Sequence, residues 1–381
     1  CQPNIIEKPP EEFDVNIDVD RNTEATLRIL VPSTDGGQEE MYIKALEPGF
    51  KEMFPNVTIE YDRRAISDDK YVESISSAIA SGEVPDLFYA NTVFYYYLVS
   101  QNCIISLEPY YAAEADRYNT TGGQEGLNLD ADYYTSFFDM SKYEGNRYVV
   151  PRSMDSVVTY YNTEFLQAAG ISLSDERLVS TEENPFTWDD LVSLCKDVND
   201  FIVSEEGRQA GYGSAYALQA DFDWEAEEIK ESFNAVPFPL IGENAKIGCG
   251  FAGWGISSTA DDTTRDIAWQ FLKYMISREG QMALINAGLA TPSIRIDLAE
   301  EKQWSKGYED LNLDAWLQWE EYKVSSKFFV NQDPSATFDI LSALQTFMRN
   351  LVDPTLTGTS VKSVEMCIAT AKEDLSEAVQ G

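Results

Sequence analysis

YVVPRSMDSVVTYYNTEFLQAAG, residues 148–170, is the stretch that decides how this chain can fold. It joins four unlike pieces in a fixed order. Residues 148–151 read as a strand, and Arg152-Ser153-Met154-Asp155 follows as an exposed polar elbow. Residues 157–161 are β-branched and aromatic, as a second strand requires. Asn162-Thr163 then caps a helix over 164–169 that stops at Gly170. A strand that leaves through a polar elbow and re-enters as another strand suits a crossover between two lobes, with the elbow facing whatever lies between them. The same spacing also fits a strand–turn–strand inside one domain, so spacing alone leaves both open.

Working outward, 381 residues exceed most single cores, so two lobes or domains are expected. Sixty-five acidic residues against 28 basic ones give a formal charge of −37. That field repels nucleic acid and anionic lipid headgroups, while neutral or cationic ligands are easier to accept. The chain has no histidine, which removes Ser-His-Asp and Cys-His catalysis together with His-ligated metals. Only carboxylate-pair, Lys or Tyr mechanisms survive, and no cofactor or metal is expected. Cys103, Cys195, Cys249 and Cys367 are scattered without a CxxC pair and read as small buried hydrophobes. Cys1 differs, because the run behind it to about residue 23 is polar, acidic and rich in Pro and Asn. That pattern looks like the lipid-modified start of a bacterial lipoprotein followed by a flexible tether, unless the boundary is arbitrary. No run of 18 apolar residues exists to cross a membrane as a helix.

In chain order, residues 25–32 suit a buried parallel strand, and a loop at 33–37 leads to a helix with Pro48 inside it. Strand 57–61, helix 69–80 and strand 85–89 complete a βαβαβ unit. In such sheets ligands sit at the carboxyl ends of the strands, so loops 33–37, 62–67 and 90–97 share one edge. The third loop carries Asn91 and Phe94-Tyr95-Tyr96-Tyr97. Successive side chains diverge in any regular element, so some of these rings are expected to face solvent or a ligand. Residues 112–130 read as a polar, Gly- and Asn-rich stretch. Thr187 and Asp190 form a capping box for a helix with Leu191, Leu194 and Val198, and residues 212–219 read as a strand. Residues 246–258 form a Gly-rich return strand. Its Gly248, Gly250 and Gly253 match GxGxxG, but no acidic residue follows at the spacing a dinucleotide site needs. One long helix is expected over 264–287, and helices over the last 80 or so residues, with apolar faces at Ile340, Leu344, Phe347 and Leu351 and at Val364, Ile368, Ala371 and Leu375.

The order of these motifs resembles the extracellular solute-binding proteins of ABC importers, in the sugar-binding, maltose-binding-protein-like group. The matching pieces are Cys1, RILVPSTDGG at 28–37, FKEMFPNVTIEY at 50–61, SGEVPDLFYAN at 81–91 and RYVVPRSMDSVVTYYNTEFLQAAGI at 147–171. FTWDDL at 186–191, GCGFAGWGISS at 248–258 and AWQFLKYMISREGQMALINAGLATPS at 268–293 continue the series. No motif alone is very specific, whereas their order over roughly 270 residues is. The resemblance implies an α/β, two-lobe periplasmic-binding-protein-like (type II) fold with a hinge, a ligand between the lobes and no catalysis. It divides the chain into a tether at 1–23, a first lobe at 24–145 plus 255–295 and a second at 146–254 plus 296–381. The partners implied are a carbohydrate ligand, the permease subunits and the membrane through a lipid on Cys1, with the chain itself a monomer on the outer face of the cell membrane.

Carried over by position, the ligand contacts implied are Ser33, Asp35 and Gly37, Asn91 and Tyr95, Arg152 and Asp155, and Phe251 and Trp254. Asp155, Arg152 and Asn91 are the expected hydroxyl-binding groups, and Trp254, Tyr95 and Trp224 the stacking platforms. Asp155 could instead cap the elbow, and Trp254 could be core. One departure is large: near 224–231 the helices that the family carries in its second lobe are missing, so either the lobe is reduced or a segment has dropped out. A carboxylate-pair glycosidase, a binding protein for a polyamine, peptide or metal chelate, and an adhesive surface lipoprotein are the rival readings.

Overall fold

In the computed structural model the described residues are 13–32, 37–64, 68–154, 156–213, 215, 217, 232–242, 245–289, 292–305, 310–325, 346, 369, 370 and 372, and side chains are described outside 68–73. The expected βαβαβ unit is present. Strand β1 (Ala25–Val31), helix α1 (Gln38–Met53), β2 (Val57–Arg63), α2 (Asp68–Ser81) and β3 (Leu87–Asn91) follow one another, and β1 pairs in parallel with both β2 and β3. β1 buries Leu27, Ile29, Leu30 and Val31 completely, which is what a parallel strand covered on both faces demands.

Next come the helices α3 (Tyr95–Ser100), α4 (Glu108–Thr120), α5 (Leu129–Asp132) and α6 (Thr135–Asp139) and the hairpin β4 (Lys142–Tyr143) and β5 (Asn146–Arg147). Helix α4 occupies much of the stretch read as polar and irregular, because Tyr110 and Tyr111 anchor it: Tyr110 stacks on Trp269 at 4.8 Å and Tyr111 meets the same ring edge-on at 5.1 Å. The aromatic run 94–97 is also more buried than expected. Phe94, Tyr95 and Tyr96 are all buried, because the short α3 is covered on more than one side, with Tyr95 against Phe251 at 5.3 Å and Tyr96 against Tyr143 at 4.9 Å.

The chain then forms β6 (Val150–Pro151), β7 (Val158–Asn162), α7 (Thr163–Ala168), α8 (Trp188–Val203), α9 (Glu205–Gln209), β8 (Phe233–Pro237), β9 (Ile247–Cys249) and β10 (Ala252–Ile256). β10 inserts antiparallel between β3 and β6, giving the sheet order β2-β1-β3-β10-β6. Gly253 makes that insertion possible, since a Cβ there would lie 1.9 Å from the Val150 carbonyl oxygen. Gly253, the last glycine of the GxGxxG match, therefore serves strand packing.

Two hydrophobic clusters divide the described residues. The large one fills the five-stranded sheet and its helices. The second comprises Leu166, Ile171, Leu178, Phe186, Leu194, Val198, Ile202 and Val236, built on α7, α8 and the antiparallel β7–β8 ladder. Residues 148–154 and 245–254, read as second lobe, thus belong to the first core, because β6 and β10 complete its sheet. Trp319, from the stretch also assigned to the second lobe, packs into the same core, with Leu317 and Tyr322 against it.

The single helix expected at 264–287 is two, α10 (Asp262–Ile276) and α11 (Arg278–Asn286). Ser277 leaves helical geometry at ψ 164°, and its side chain accepts from the Gly280 amide to cap the second helix. The chain continues as α12 (Ile296–Glu300), α13 (Asp314–Leu317) and β11 (Lys323–Ser325), which pairs in parallel with β9. Residues 212, 213, 215 and 217 are not in a strand, and the rest of the strand read there lies outside the described residues. Outside them too lie the segment 224–231 and the apolar faces read at 340–351 and 364–375. Cys103 and Cys249 are buried and Cys195 is half-buried, with burial pushing the Cys103 thiol up to about 11. Cys1 and Cys367 lie outside the described residues.

Candidate functional site

Four parallel strands, β2, β1, β3 and β6, end at one edge of the first sheet, and the antiparallel β10 begins there. Backbone bonds fasten the edge together. Arg152 donates its amide to the Ala252 carbonyl at 2.9 Å, and Thr92 donates to that of Phe251 at 3.1 Å. In return the Phe251 amide donates to Thr92 Oγ1 at 2.9 Å. The fold therefore brings Gly37, Asn91, Tyr95, Arg152 and Phe251 to one rim, as the sequence implies. A surface depression of about 660 Å³, lined by residues from Glu24 to Thr58, lies at the opposite, amino-terminal edge.

The rim differs in chemistry from what was expected. Arg152 is engaged by Glu39, through Nε at 2.9 Å and Nη2 at 2.8 Å, and by Ser153 Oγ at 2.7 Å, with its guanidinium 4.2 Å over the Tyr42 ring. Burial works against its charge, yet the bonds and charge of Glu39 outweigh burial and hold its pKa above the usual arginine value. Glu39 stands in the first turn of α1, where an acidic group also suits the helix dipole. Beside it Arg63 grips the buried Glu40 at 2.6 and 2.8 Å, and these bonds lower its carboxyl to about 2 against the cost of burial.

Asn91 accepts from the amides of Val93 and Phe94 with its Oδ1, turning the chain into α3. Trp254, expected as a stacking platform, has no exposed face: it is fully buried, and its indole N–H donates to the Leu30 carbonyl at 3.0 Å. Tyr95 and Phe251 are buried against each other, so in this structure all three rings are core. The glycine-rich strand brings backbone close around Trp254 but also closes over it. Ser33, Asp35, Asp155 and Trp224 lie outside the described residues.

A second array was not read from the sequence. Trp316, on α13, meets Tyr160 of β7 at 5.8 Å and Trp304 at 6.3 Å, both at steep angles, and all three rings are half-buried. Burial pushes the Tyr160 phenol well up, while a hydrogen bond with Trp316 opposes it. The only local signal was the density of tryptophan in 304–319, and nothing in sequence spacing ties it to Tyr160.

The array sits where the chain passes between the two clusters. Ser156, just past the elbow, donates to the Trp316 carbonyl at 3.0 Å, and Lys323 Nζ donates to the same oxygen at 2.8 Å. Asn312 binds Asn234 and Ala235 of β8, and Gln318 binds the Ser180 carbonyl, all on the second unit. Glu320 accepts from the Ser136 amide on the first. Residues 312–325 are thus laced to both cores, next to Ser156 and to β9. Such a junction can hold a ligand by stacking and hydrogen bonding, and it can bend. Among the described residues no group of three or more His, Cys, Asp or Glu is arranged to hold a metal, and no helix is long and apolar enough to cross a membrane.

Residues 32–201 match the family model of the bacterial extracellular solute-binding proteins. None of the curated proteins matches the sequence. Among solved structures, the ABC substrate-binding protein Lmo0181 from Listeria monocytogenes, in complex with cycloalternan, is 15% identical at a TM-score of 0.59, over 93% of this chain and 99% of that one. The sugar-binding protein MalE from Xanthomonas citri is 13% identical at 0.63, over 93% and 96%. UgpB from Mycobacterium tuberculosis, in complex with glycerophosphocholine, is 14% identical at 0.58, over 93% and 98%. At such identities the likeness speaks for fold alone, and these matches are binding proteins rather than enzymes. Over residues 32–201 the sequence carries the pattern of the bacterial extracellular solute-binding proteins, and the chain as a whole has their α/β, two-lobe, type II periplasmic-binding-protein fold.

Proposed function

We propose that the chain is the extracytoplasmic substrate-binding component of an ABC importer, which captures a carbohydrate between two lobes by hinge closure and presents it to the permease. The lobes are the unit around the first core and the unit of residues 156–242, with 312–325 as part of the hinge. The observation that carries the reading is the half-buried array of Tyr160, Trp304 and Trp316 at the junction of the two units. Aromatic faces take the C–H side of a sugar ring, and the neighbouring polar rim supplies groups for its hydroxyls. Of the ligand groups read from sequence, Asn91, Ser33, Asp35, Gly37, Asp155 and Trp224 remain part of the proposal, and Trp316, Trp304 and Tyr160 take over the role given to Trp254 and Tyr95. The cycloalternan and MalE structures support a sugar by likeness of fold.

A ligand that touches both units favours the shut form, and a shift from 1:99 to 99:1 needs about 10⁴-fold preference for it. The bound, shut chain, acting as a monomer, is what the permease reads. Attachment through a lipid on Cys1 belongs to the same proposal, and its test is fatty-acid labelling of the protein in cells.

Thermal unfolding against a panel of mono- and oligosaccharides tests the proposal. A ligand at 100 times its dissociation constant adds about 2.7 kcal/mol, a rise of a few degrees. A rise with one glycan class fixes the substrate, and no rise with any sugar sinks the carbohydrate reading. A second reading has its own support, in the charge of −37 and the same aromatic faces, which suit a cationic solute such as a polyamine or a choline ester by cation–π attraction. UgpB with glycerophosphocholine has the same fold. A rise with amines alone would select it.

A further inference from the structure

We propose that Lys323 is a positioning residue for the ligand: its ammonium, fixed on the Trp316 carbonyl, sets the Trp316 ring at the junction of the two units. The inference rests on the carbohydrate reading for the role of Trp316, and on contacts of this chain for the role of Lys323.

Lys323 is 5% exposed, at the start of β11. A buried ammonium is costly unless it is paired, and the pairing here is unusual. Among the described residues no carboxylate lies within ion-pair reach of it. Its acceptor is a main-chain oxygen, that of Trp316 at 2.8 Å, and the Phe137 ring lies beneath it at 5.8 Å. The surrounding groups come from every neighbouring element. Helix α6 contributes the Phe137 ring, while its Asp139 is taken up by Arg147 and Lys142. Strand β9 contributes Cys249, the turn before β11 contributes Glu320 and Glu321, and α13 contributes the carbonyl, its Asp314 being paired with Lys302.

The Trp316 carbonyl is where three passes of the chain meet. Ser156 reaches it from the elbow, Lys323 from the strand paired to β9, and residue 316 belongs to the segment bonded to β8. A bond at this point fixes the backbone from which the indole ring projects, and Tyr160 and Trp304 meet the ring itself. Burial, set against the pull of Cys249, Glu320 and Glu321, lowers the Lys323 pKa to about 8. Charge-assisted bonds are about twice as strong as neutral ones, so loss of that proton loosens the carbonyl and frees the ring.

The test needs no identified ligand for its first arm. In the whole chain, the Trp316 indole N–H resonance, assigned by its loss in Trp316→Phe, is followed from pH 6.5 to 9.5. The expected result is a shift with a midpoint near 8 in the wild type and a flat response in Lys323→Met, whose apolar chain fills the same buried space. A flat response in the wild type, or an equal shift in both proteins, overturns the proposal. In the second arm maltotriose is the probe, and its affinity is expected to fall about fivefold from pH 6.5 to 9.5 in the wild type and to be independent of pH in Lys323→Met. Affinity that follows pH equally in both overturns the proposal. Maltotriose binding at neither pH would count against the carbohydrate reading, and the indole titration would still decide the role of Lys323. Ser156→Ala removes the other bond to the same oxygen without touching the titrating group, so it should keep the midpoint near 8, and a lost midpoint there overturns the assignment to Lys323.

Discussion

The two units of this chain bury their residues in different ways. The first packs a five-stranded sheet with rings that have no exposed face, Trp254 and Trp269 among them, and puts ion pairs on its rim. The second, as far as it is described, gathers eight buried residues around a two-stranded ladder, and all five residues of β7 are only half-buried. A sheet covered on both faces is rigid, whereas a ladder with a half-open strand keeps surface for something else to cover. The comparison teaches that the stiff unit closes over its rings, whereas β7 of the lighter one keeps Tyr160 half-open beside Trp316.

The sharpest way to break the first unit is Trp254→Ala. It empties a fully buried site and leaves the Leu30 carbonyl without its donor, so a loss of about 4 kcal/mol is expected in urea unfolding. If Trp254 were a ligand platform instead, stability would hold and only affinity would fall.

That contrast shows what the sequence could and could not say. The βαβαβ order, the caps at Asn162 and Thr187 and the rim of strand ends were legible, because periodicity and capping are local. Burial of Trp254 was not, since it depends on β10 inserting between β3 and β6, pairings that join Trp254 to Tyr89 and to Val150 and that no local pattern encodes. The break at Ser277 was legible in principle from Ser277-Arg278-Glu279, a capping residue followed by an acid, but the apolar period ran through it. The Trp316 array depends on three distant passes of chain, and only the fold assembles it.

Glu39→Gln tests the charged rim. It leaves the Arg152 guanidinium buried with half its pairing, and because both side chains are nearly buried, about 3 kcal/mol of stability should be lost. A smaller change would mean that water reaches Arg152 and that the rim is open to ligand hydroxyls.

Two titrations separate the rim from the junction. Glu40, folded near 2 against 4.5, binds fewer protons in the native state than unfolded, so its contribution is full above about pH 4.5 and lost as pH falls toward 2. Lys323, folded near 8 against 10.5, also binds fewer protons natively between those values, so stability should rise with pH from about 8. The buried tyrosines oppose this above about pH 10, because unfolding frees them to ionise. Calorimetry of the wild type against Lys323→Met at pH 7.5 and 9.5 isolates the lysine: only the wild type should gain over that interval.

The smallest expected effect asks whether the two units unfold separately. Asn162 caps α7 by accepting from the Phe165 amide at 2.8 Å, and Asn162→Ala should cost about 1 kcal/mol. Where that cost is felt depends on coupling. The junction bonds of Asn312, Gln318 and Ser156 are few beside the contacts inside either cluster, so the lighter unit should open on its own. Hydrogen exchange then shows faster opening in α7, α8 and the β7–β8 ladder, with the amides of β1 and β3 unchanged. Equal acceleration in β1 would mean that the segment 312–325 binds the units into one cooperative body, and a hinge there would have to bend without either unit loosening.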